Sequence, residues 1–353
     1  MATDRKVRIG FIGTGGMGQC AHLKNYAALG DCEVVALAEL RPRLAERVAE
    51  RYGVPTVYAD HRALLDGEDV DALVASQPFT RHGVLLPELL ATGKPVFSEK
   101  PLAACIEVGE RIVEAERAGS TFLMLGYHKR SDPATMYAKA QIDALVASGE
   151  LGRMTYVRIL MPAGDWIAGG FDDLIPSDDP FPELDFDPPP SDMDQAAFEE
   201  YNAFVNYYIH QVNLMRHVLG EGYSVRYVAP SGVLLAVESA SGVAGTIEMS
   251  PYATTVDWQE HALVCFEHGY VRIDLPAPLA SNRPGRVEIL RDPGAGATPE
   301  TVVPQLPWRH AMRQQAMNFI AAVRGDAAPL CTAAEALEDL KNAREWLQLK
   351  HGV

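Results

Sequence analysis

The chain reads as an α/β protein whose first part is a Rossmann-type, doubly wound parallel sheet, and three observations predict this. Continuous apolar strands alternate with helices over the first third. The first strand runs straight into Gly13-Thr14-Gly15-Gly16-Met17-Gly18. A carboxylate, Glu39, closes the second strand, 21 residues beyond Gly18. Strands apolar on both faces belong to parallel sheets covered by helices on each side.

The alternation can be followed element by element. "KVRIGFIG" is an apolar strand and "GMGQCAHLKNYAAL" is helical; "CEVVALAE" is the next strand. "PRLAERVAERYG" is a helix with Pro near its start and Gly after its end. "VDALVASQP" and "KPVFSEKP" repeat the strand pattern, separated by the helical "HGVLLPELLATG". "ACIEVGERIVEAERAG" and "TFLMLGY" complete the series, which places a first domain at residues 1–126 and a second at 127–353.

Gly13 to Gly18 form a G-x-G-x-x-G between a strand and a helix, the context the dinucleotide fingerprint requires. Its glycines permit a tight turn and close approach to a pyrophosphate, and the helix offers its N–H groups and positive dipole end. Glu39 is placed to accept hydrogen bonds from the 2′- and 3′-hydroxyls of a ribose and to repel a 2′-phosphate, so NAD is favoured over NADP. Arg41, two residues on, partly offsets that repulsion.

Lys100 stands in "SEKPLA", after a strand and so at the carboxyl edge of the sheet, where open α/β sheets bind ligands. Pro101 restricts it and Glu99 sets a carboxylate beside it. A Lys held there can hydrogen-bond a substrate oxygen beside a nicotinamide.

In "NAFVNYYIHQVNLMRHVLG", read as the end of a helix closed by Gly220, Asn202, Asn206, His210, Asn213 and His217 fall on one stripe. A solvent-facing helix usually carries Lys, Glu or Arg, so a neutral row of hydrogen-bonding side chains invites a second reading, a ligand-facing surface.

Composition limits the partners. The net charge of −16 argues against nucleic acid or an acidic membrane surface. No stretch of 353 residues has signal-peptide form or membrane-spanning length. Five scattered cysteines without a CxxC pair suggest reduced thiols in a cytoplasmic protein. "CFEH", Cys265 to His268, has a metal-like spacing with no second pair, and no metal is expected. The stretch from Asp165 to Glu200 carries twelve acidic residues and six prolines and fits no EF-hand pattern. It reads as an irregular insertion, about residues 163–200, either solvated or packed on another subunit.

The order GTGGMG, Glu39, "SQPFTRH", "SEKPLA", "GYHKRSDPA" and "SGELGRM" resembles the Gfo/Idh/MocA oxidoreductases over almost the whole chain. The resemblance implies a Rossmann domain followed by an α/β domain on a large, open, mostly antiparallel sheet. "VRYVAPSGVLLAVESASGVAGTIEMSP" and "EHALVCFEHGYVRIDL" suit such a sheet. It also implies a final helix that often returns towards the first domain, and a homodimer or homotetramer, with the acidic insertion a candidate contact.

For the site, the resemblance implies cofactor contacts from the glycine turn, Glu39, Arg41, Gln77, Pro78, His82, Glu99 and Lys100. It implies a catalytic His on the later helix, matched by His210. Asn206 and Asn213 stand where the family usually has carboxylates, which removes one acid/base group and keeps hydrogen-bonding ones. Neutral imidazole titrates near working pH, so His210 suits a general base. The expected reaction moves hydride between NAD and a secondary alcohol of a sugar, sugar derivative or cyclitol. Lys100 and His210 attend the reacting oxygen, in roles that can be exchanged.

Tyr127 and His128 follow as substrate contacts, Tyr127 alternatively as core. Trp166 caps a sugar's apolar face, anchors the insertion or meets another subunit. Lys129, Arg130 and Arg158 are the cations available to an anionic substrate, and His217 is structural. Two other readings stay open: an NAD-dependent glycosidase that oxidises its sugar transiently, and a nucleotide-binding sensor or corepressor.

Overall fold

In the computed structural model, which describes residues 5–294 and 296–352, the chain divides into two compact units. The first comprises the described residues of Met1–Gly126 together with Gly169–Met193 and Met312–Leu340. The second comprises Tyr127–Ala168, Asp194–Ala311 and the described residues of Lys341–Val353.

The first unit is built on six parallel strands: β1 Val7–Ile12, β2 Cys32–Ala38, β3 Thr56–Tyr58, β4 Ala72–Ala75, β5 Val96–Ser98 and β6 Leu123–Leu125. Their order is β3-β2-β1-β4-β5-β6, so the chain reverses direction across the sheet between β1 and β4. At such a switch point the loops after neighbouring strands diverge and leave a crevice for a ligand. The sheet pairs in register from Val7↔Cys32 and Ile9↔Ala72. Phe11, Tyr26, Phe97 and Phe319 form an aromatic core, with Tyr26 and Phe319 perpendicular at 6.3 Å. Phe319 comes from the helix Ala311–Arg324, far along the sequence.

Local chemistry accounts for the helix ends. Helix Pro42–Tyr52 begins with Pro and closes on Gly53 at φ 68, as its sequence predicts. Two features depart from the expected pattern. The helix after the glycine turn opens as a π-helical turn, Gly18–Leu23. The three-residue β3 is too short to give a periodic signal.

The second unit holds eight strands: β7 Met154–Ala163, β8 Tyr223–Val228, β9 Leu234–Ser239, β10 Ala244–Ala253, β11 Glu260–Phe266, β12 Gly269–Leu275, β13 Arg286–Arg291 and β14 Glu300–Val302. Their order is β14-β13-β12-β11-β7-β10-β9-β8. Among the described residues of this sheet, only the β10–β7 pair is parallel. Strict alternation of burial along β11 shows one face buried and the other half-buried, as antiparallel sheets allow.

The helix read across residues 202–220 is two helices, Gln195–Tyr207 and Ile209–Leu219. Tyr208, at φ −95 and ψ −5, separates them, and its phenol donates to Ser250 Oγ at 2.8 Å. Gly220 at φ 77 ends the second helix as expected.

The acidic insertion also differs from expectation. Its Gly169–Met193 stretch belongs to the first unit and is hydrogen-bonded to it rather than loose in solvent. Ile175 N donates to Gln19 Oε1 at 3.1 Å, Arg47 Nη1 donates to Pro176 O at 3.0 Å, and Arg43 Nε donates to Asp179 Oδ1 at 3.0 Å. Irregular backbone needs partners for its polar groups, and the helix Pro42–Tyr52 supplies several.

Candidate active site

In the first unit, Gly13 takes φ 88 at the end of β1, and its N–H donates to Ala38 O at 2.9 Å. A Cβ there would lie 2.1 Å from Gln77 Nε2, and one on Gly18 would lie 2.3 Å from Gly13 O. At Gly15 a Cβ would meet nothing within 4 Å, so the backbone there faces open space. Gly16 approaches the Phe171 ring, and Met17 is half-buried just before the π-helical turn. This turn fits the phosphates of a dinucleotide: tight where chain meets chain, open where phosphate would lie. Gln19, which the motif does not single out, secures it by donating to Thr14 O at 2.8 Å while exchanging hydrogen bonds with Ile175.

Glu39 lies behind the turn and is buried. Its Oε2 accepts from Thr14 N at 2.8 Å and Thr14 Oγ1 at 2.9 Å. Arg41 donates from Nε to Oε1 at 2.8 Å and from Nη2 to Oε2 at 2.9 Å. Burial pushes this carboxyl up, but the bonds from Arg41 and Thr14 outweigh it and hold its pKa below the ordinary value. The carboxylate expected to be open to a ribose is thus already engaged by Arg41. Gln77 and the exposed Pro78 line the same cavity as Glu39 and Arg41.

The turn after β5 carries Lys100, half-buried and joined to Pro101 by a cis peptide bond. Glu99 is buried, and its carboxylate meets His22 Nε2 at 2.5 Å and accepts from Lys100 N at 3.0 Å. It thereby holds the Lys100 backbone in place. His82 has no exposed surface either: Nδ1 lies 3.1 Å from Leu102 O and burial pushes its pKa down. Both residues, expected to touch cofactor, hold the Lys100 turn from behind.

In the second unit, Tyr127 and His128 are buried, and His210 is half-buried against them. The ring centroids of His210 and His128 are 4.5 Å apart, and those of His210 and Tyr127 are 5.9 Å apart, both edge-on. A buried carboxylate that the sequence reading missed, Glu260 on β11, ties this group together. It pairs with Lys129 and accepts from Gln211 Nε2 at 2.7 Å and from Trp258 Nε1 at 3.0 Å. Lys129 and Gln211 are the chain neighbours of His128 and His210, so this one carboxylate fixes both histidine backbones.

Asn213 is buried and accepts from Arg130 Nε at 2.6 Å, which removes it from the expected substrate contacts. Asn206 is exposed on the preceding helix, because the break at Tyr208 splits the stripe. The cations considered for an anionic substrate are all committed: Lys129 to Glu260, Arg130 to Asn213, and Arg158 to Glu248 at 2.5 and 2.8 Å. Trp166 is half-buried, and its carbonyl accepts from Leu279 N at 3.2 Å, so it helps to anchor its own loop. Among the described residues, no group of three or more His, Cys, Asp or Glu is placed to hold a metal ion, and no helix is long and apolar enough to cross a membrane.

A parallel sheet ordered 3-2-1-4-5-6, with a glycine turn at its switch point and a carboxylate closing β2, defines a dinucleotide-binding Rossmann protein. Residues 7–127 match the family described as "Oxidoreductase family, NAD-binding Rossmann fold", so over this domain the chain is similar to the Gfo/Idh/MocA oxidoreductases. It is 39% identical over 153 residues to an inositol 2-dehydrogenase of Acidothermus cellulolyticus, covering 43% of this chain and 44% of that one. The matched stretch therefore spans less than half of that relative's length. Inositol 2-dehydrogenase 4 of Saccharopolyspora erythraea is 28% identical over 260 residues, 70% of this chain and 68% of that one. In fold, the chain is similar to levoglucosan dehydrogenase in complex with NADH and levoglucosan: TM-score 0.73 and 18% identity, covering 99% of this chain and 98% of that one.

Proposed function

We propose that this protein is an NAD-dependent dehydrogenase acting on a secondary alcohol of a sugar, sugar derivative or cyclitol. The observation that carries the reading is the glycine turn at the sheet's switch point, followed on the same edge by Lys100. The inositol and levoglucosan dehydrogenases among its relatives point to the substrate class. The turn from Gly13 to Gly18 would hold the pyrophosphate of NAD, which would supply the hydride acceptor.

The protein's own part is proton handling and charge. His210, a half-buried imidazole set edge-on between Tyr127 and His128, takes the hydroxyl proton. Lys100 stabilises the negative charge that develops on the oxygen, an effect that grows as water is excluded. Exchange of these two roles leaves the chemistry unchanged. Asn206, exposed on its helix, and His128 serve the substrate's other hydroxyls. This assignment of Lys100 and His210 to one oxygen rests on the family resemblance of their motifs.

The test follows nicotinamide reduction by absorbance with NAD⁺ or NADP⁺ and a panel of inositols, anhydrosugars and free sugars. Reduction of NAD⁺ by one group of polyols is expected. Lys100→Ala and His210→Ala should each lower kcat by about 100-fold or more. Nucleotide binding without turnover of any polyol would sink the dehydrogenase reading.

A further inference from the structure

The first unit contains a cavity of about 350 Å³ at the ends of β1 and β2. Its inner wall is the glycine turn with Glu39, Arg41 and Gln77. Its outer wall is Phe181–Asp185, five residues of the acidic insertion. We propose that this segment is a built part of the dinucleotide site, closing its adenosine end and selecting NAD against NADP. The inference rests on the nucleotide reading above and adds to it a specificity element from outside the Rossmann pattern.

Both ends of the segment are stapled to helix N-termini. Asp179 accepts from Leu44 N at 3.0 Å and Arg43 Nε at 3.0 Å, in the first turn of helix Pro42–Tyr52. Asp187 accepts from Gly83 N at 2.9 Å, in the first turn of helix His82–Leu90, and its own N–H donates to Thr80 O at 2.7 Å. The Asp179 and Asp187 side chains are only 4% and 2% exposed. A Cβ on Gly83 would lie 2.4 Å from Asp187 Oδ1, so glycine is what admits this carboxylate. Carboxylates on helix N-termini satisfy orphan N–H groups and meet the positive dipole end, which makes both staples firm.

One helix follows β2 and the other follows β4, so the strap crosses the edge of the sheet on which a dinucleotide lies. Between the staples, Phe181 is 79% exposed, an aromatic ring on a fixed strap at the rim of the cavity. A flat apolar ring in that position suits stacking against an adenine. Glu183 and Asp185 add two carboxylates to a lining that already holds Glu39 and Asp60. Of the three lining guanidiniums, Arg41 is engaged by Glu39 and Arg62 by Glu88, while Arg81 donates to Gln77 Oε1 at 3.1 Å and lies in the field of Asp185 and Asp187. Asp60, Glu183 and Asp185 together outweigh Arg81, and this net negative charge repels a 2′-phosphate.

The experiment is calorimetric titration of NAD⁺ and NADP⁺ into the full-length protein and three variants. Replacing Phe181–Asp185 by Gly-Ser-Gly-Ser-Gly leaves both staples in place, and Tm checks the fold. It should raise the NAD⁺ Kd about tenfold, and Phe181→Ala should account for roughly fivefold of this. Glu183→Gln with Asp185→Asn should tighten NADP⁺ about three- to tenfold at low salt and leave NAD⁺ unchanged. Wild-type binding of NAD⁺ with an unaltered Kd in the loop replacement overturns the strap and spares the nucleotide site. No binding of either nucleotide by the wild type overturns both.

Discussion

The guanidinium of Arg41 lies fork to fork on the carboxylate of Glu39, with Nε–Oε1 at 2.8 Å and Nη2–Oε2 at 2.9 Å. Thr14 N and Oγ1 and Arg41 N use the same two oxygens. A carboxylate offers about four lone-pair directions, so this one has no acceptor site to spare for a ribose diol. Binding of a ribose diol at Glu39 would require Arg41 to swing aside, which would free its guanidinium for a 2′-phosphate.

Arg41→Ala is therefore expected to tighten NAD⁺ and weaken NADP⁺, moving the ratio of their Kd values by about tenfold. Calorimetry with both nucleotides measures this directly. An unchanged ratio would make Arg41 a structural partner of Glu39 and nothing more.

Glu260→Gln tests the buried tie beneath the histidines. The Glu260 side chain is fully buried and Lys129 is 5% exposed, so the substitution strands an ammonium group without its counter-charge. A loss of about 3–5 kcal/mol is expected in denaturant unfolding. Adding Lys129→Met should restore most of it, because the stranded charge is then gone. A single variant as stable as wild type contradicts this account.

The first unit was legible because each of its signals is local. Apolar runs mark β1, β2, β4 and β5, glycines mark the turn, and Pro42 and Gly53 bracket one helix. The site's second layer was not, because it depends on partners far apart in sequence. Gln19 meets Ile175 and Lys129 meets Glu260, 156 and 131 residues away. No periodicity encodes such pairs. The break at Tyr208 was hidden as well, since "NYYIHQ" keeps helical spacing and the phenol's partner, Ser250, lies 42 residues on. Asn213 shows the consequence: helical spacing sets it on the stripe of Asn206 and His210, while its side chain accepts from Arg130.

Tyr26→Phe should raise stability. The ring is wholly buried among Phe11, Phe97 and Phe319, and its hydroxyl has no hydrogen-bond partner among the described residues. Removing an unsatisfied buried hydroxyl while keeping the ring is worth roughly 1 kcal/mol. Thermal unfolding of the variant should show a higher Tm. A lower one would mean that the phenol has a partner, such as a buried water.

Asp132 gives a stability effect with a defined pH window. It caps helix Pro133–Ser148, and Oδ1 accepts from Ala134 N at 2.8 Å and Gly285 N at 2.9 Å. Oδ2 is buried without a hydrogen-bond partner among the described residues. Burial pushes this carboxyl up from 3.8 to about 6, against the two backbone N–H groups and the charge of Lys129. The native state thus holds its proton more tightly than the unfolded chain. The stability tied to that proton is complete below the unfolded value of 3.8 and is lost as pH rises through about 6. At roughly 1.4 kcal/mol per unit, the shift sets a ceiling near 3 kcal/mol. Asp132→Asn keeps the accepting oxygen and removes the buried charge, but puts an amide N–H where Oδ2 lacked a partner. The variant should therefore exceed wild type by about 1–2 kcal/mol at neutral pH, less than the ceiling. The gap should close as pH falls towards about 4. Denaturant unfolding of both proteins across that range measures it, and a gap that stays constant with pH would show that Asp132 does not titrate there.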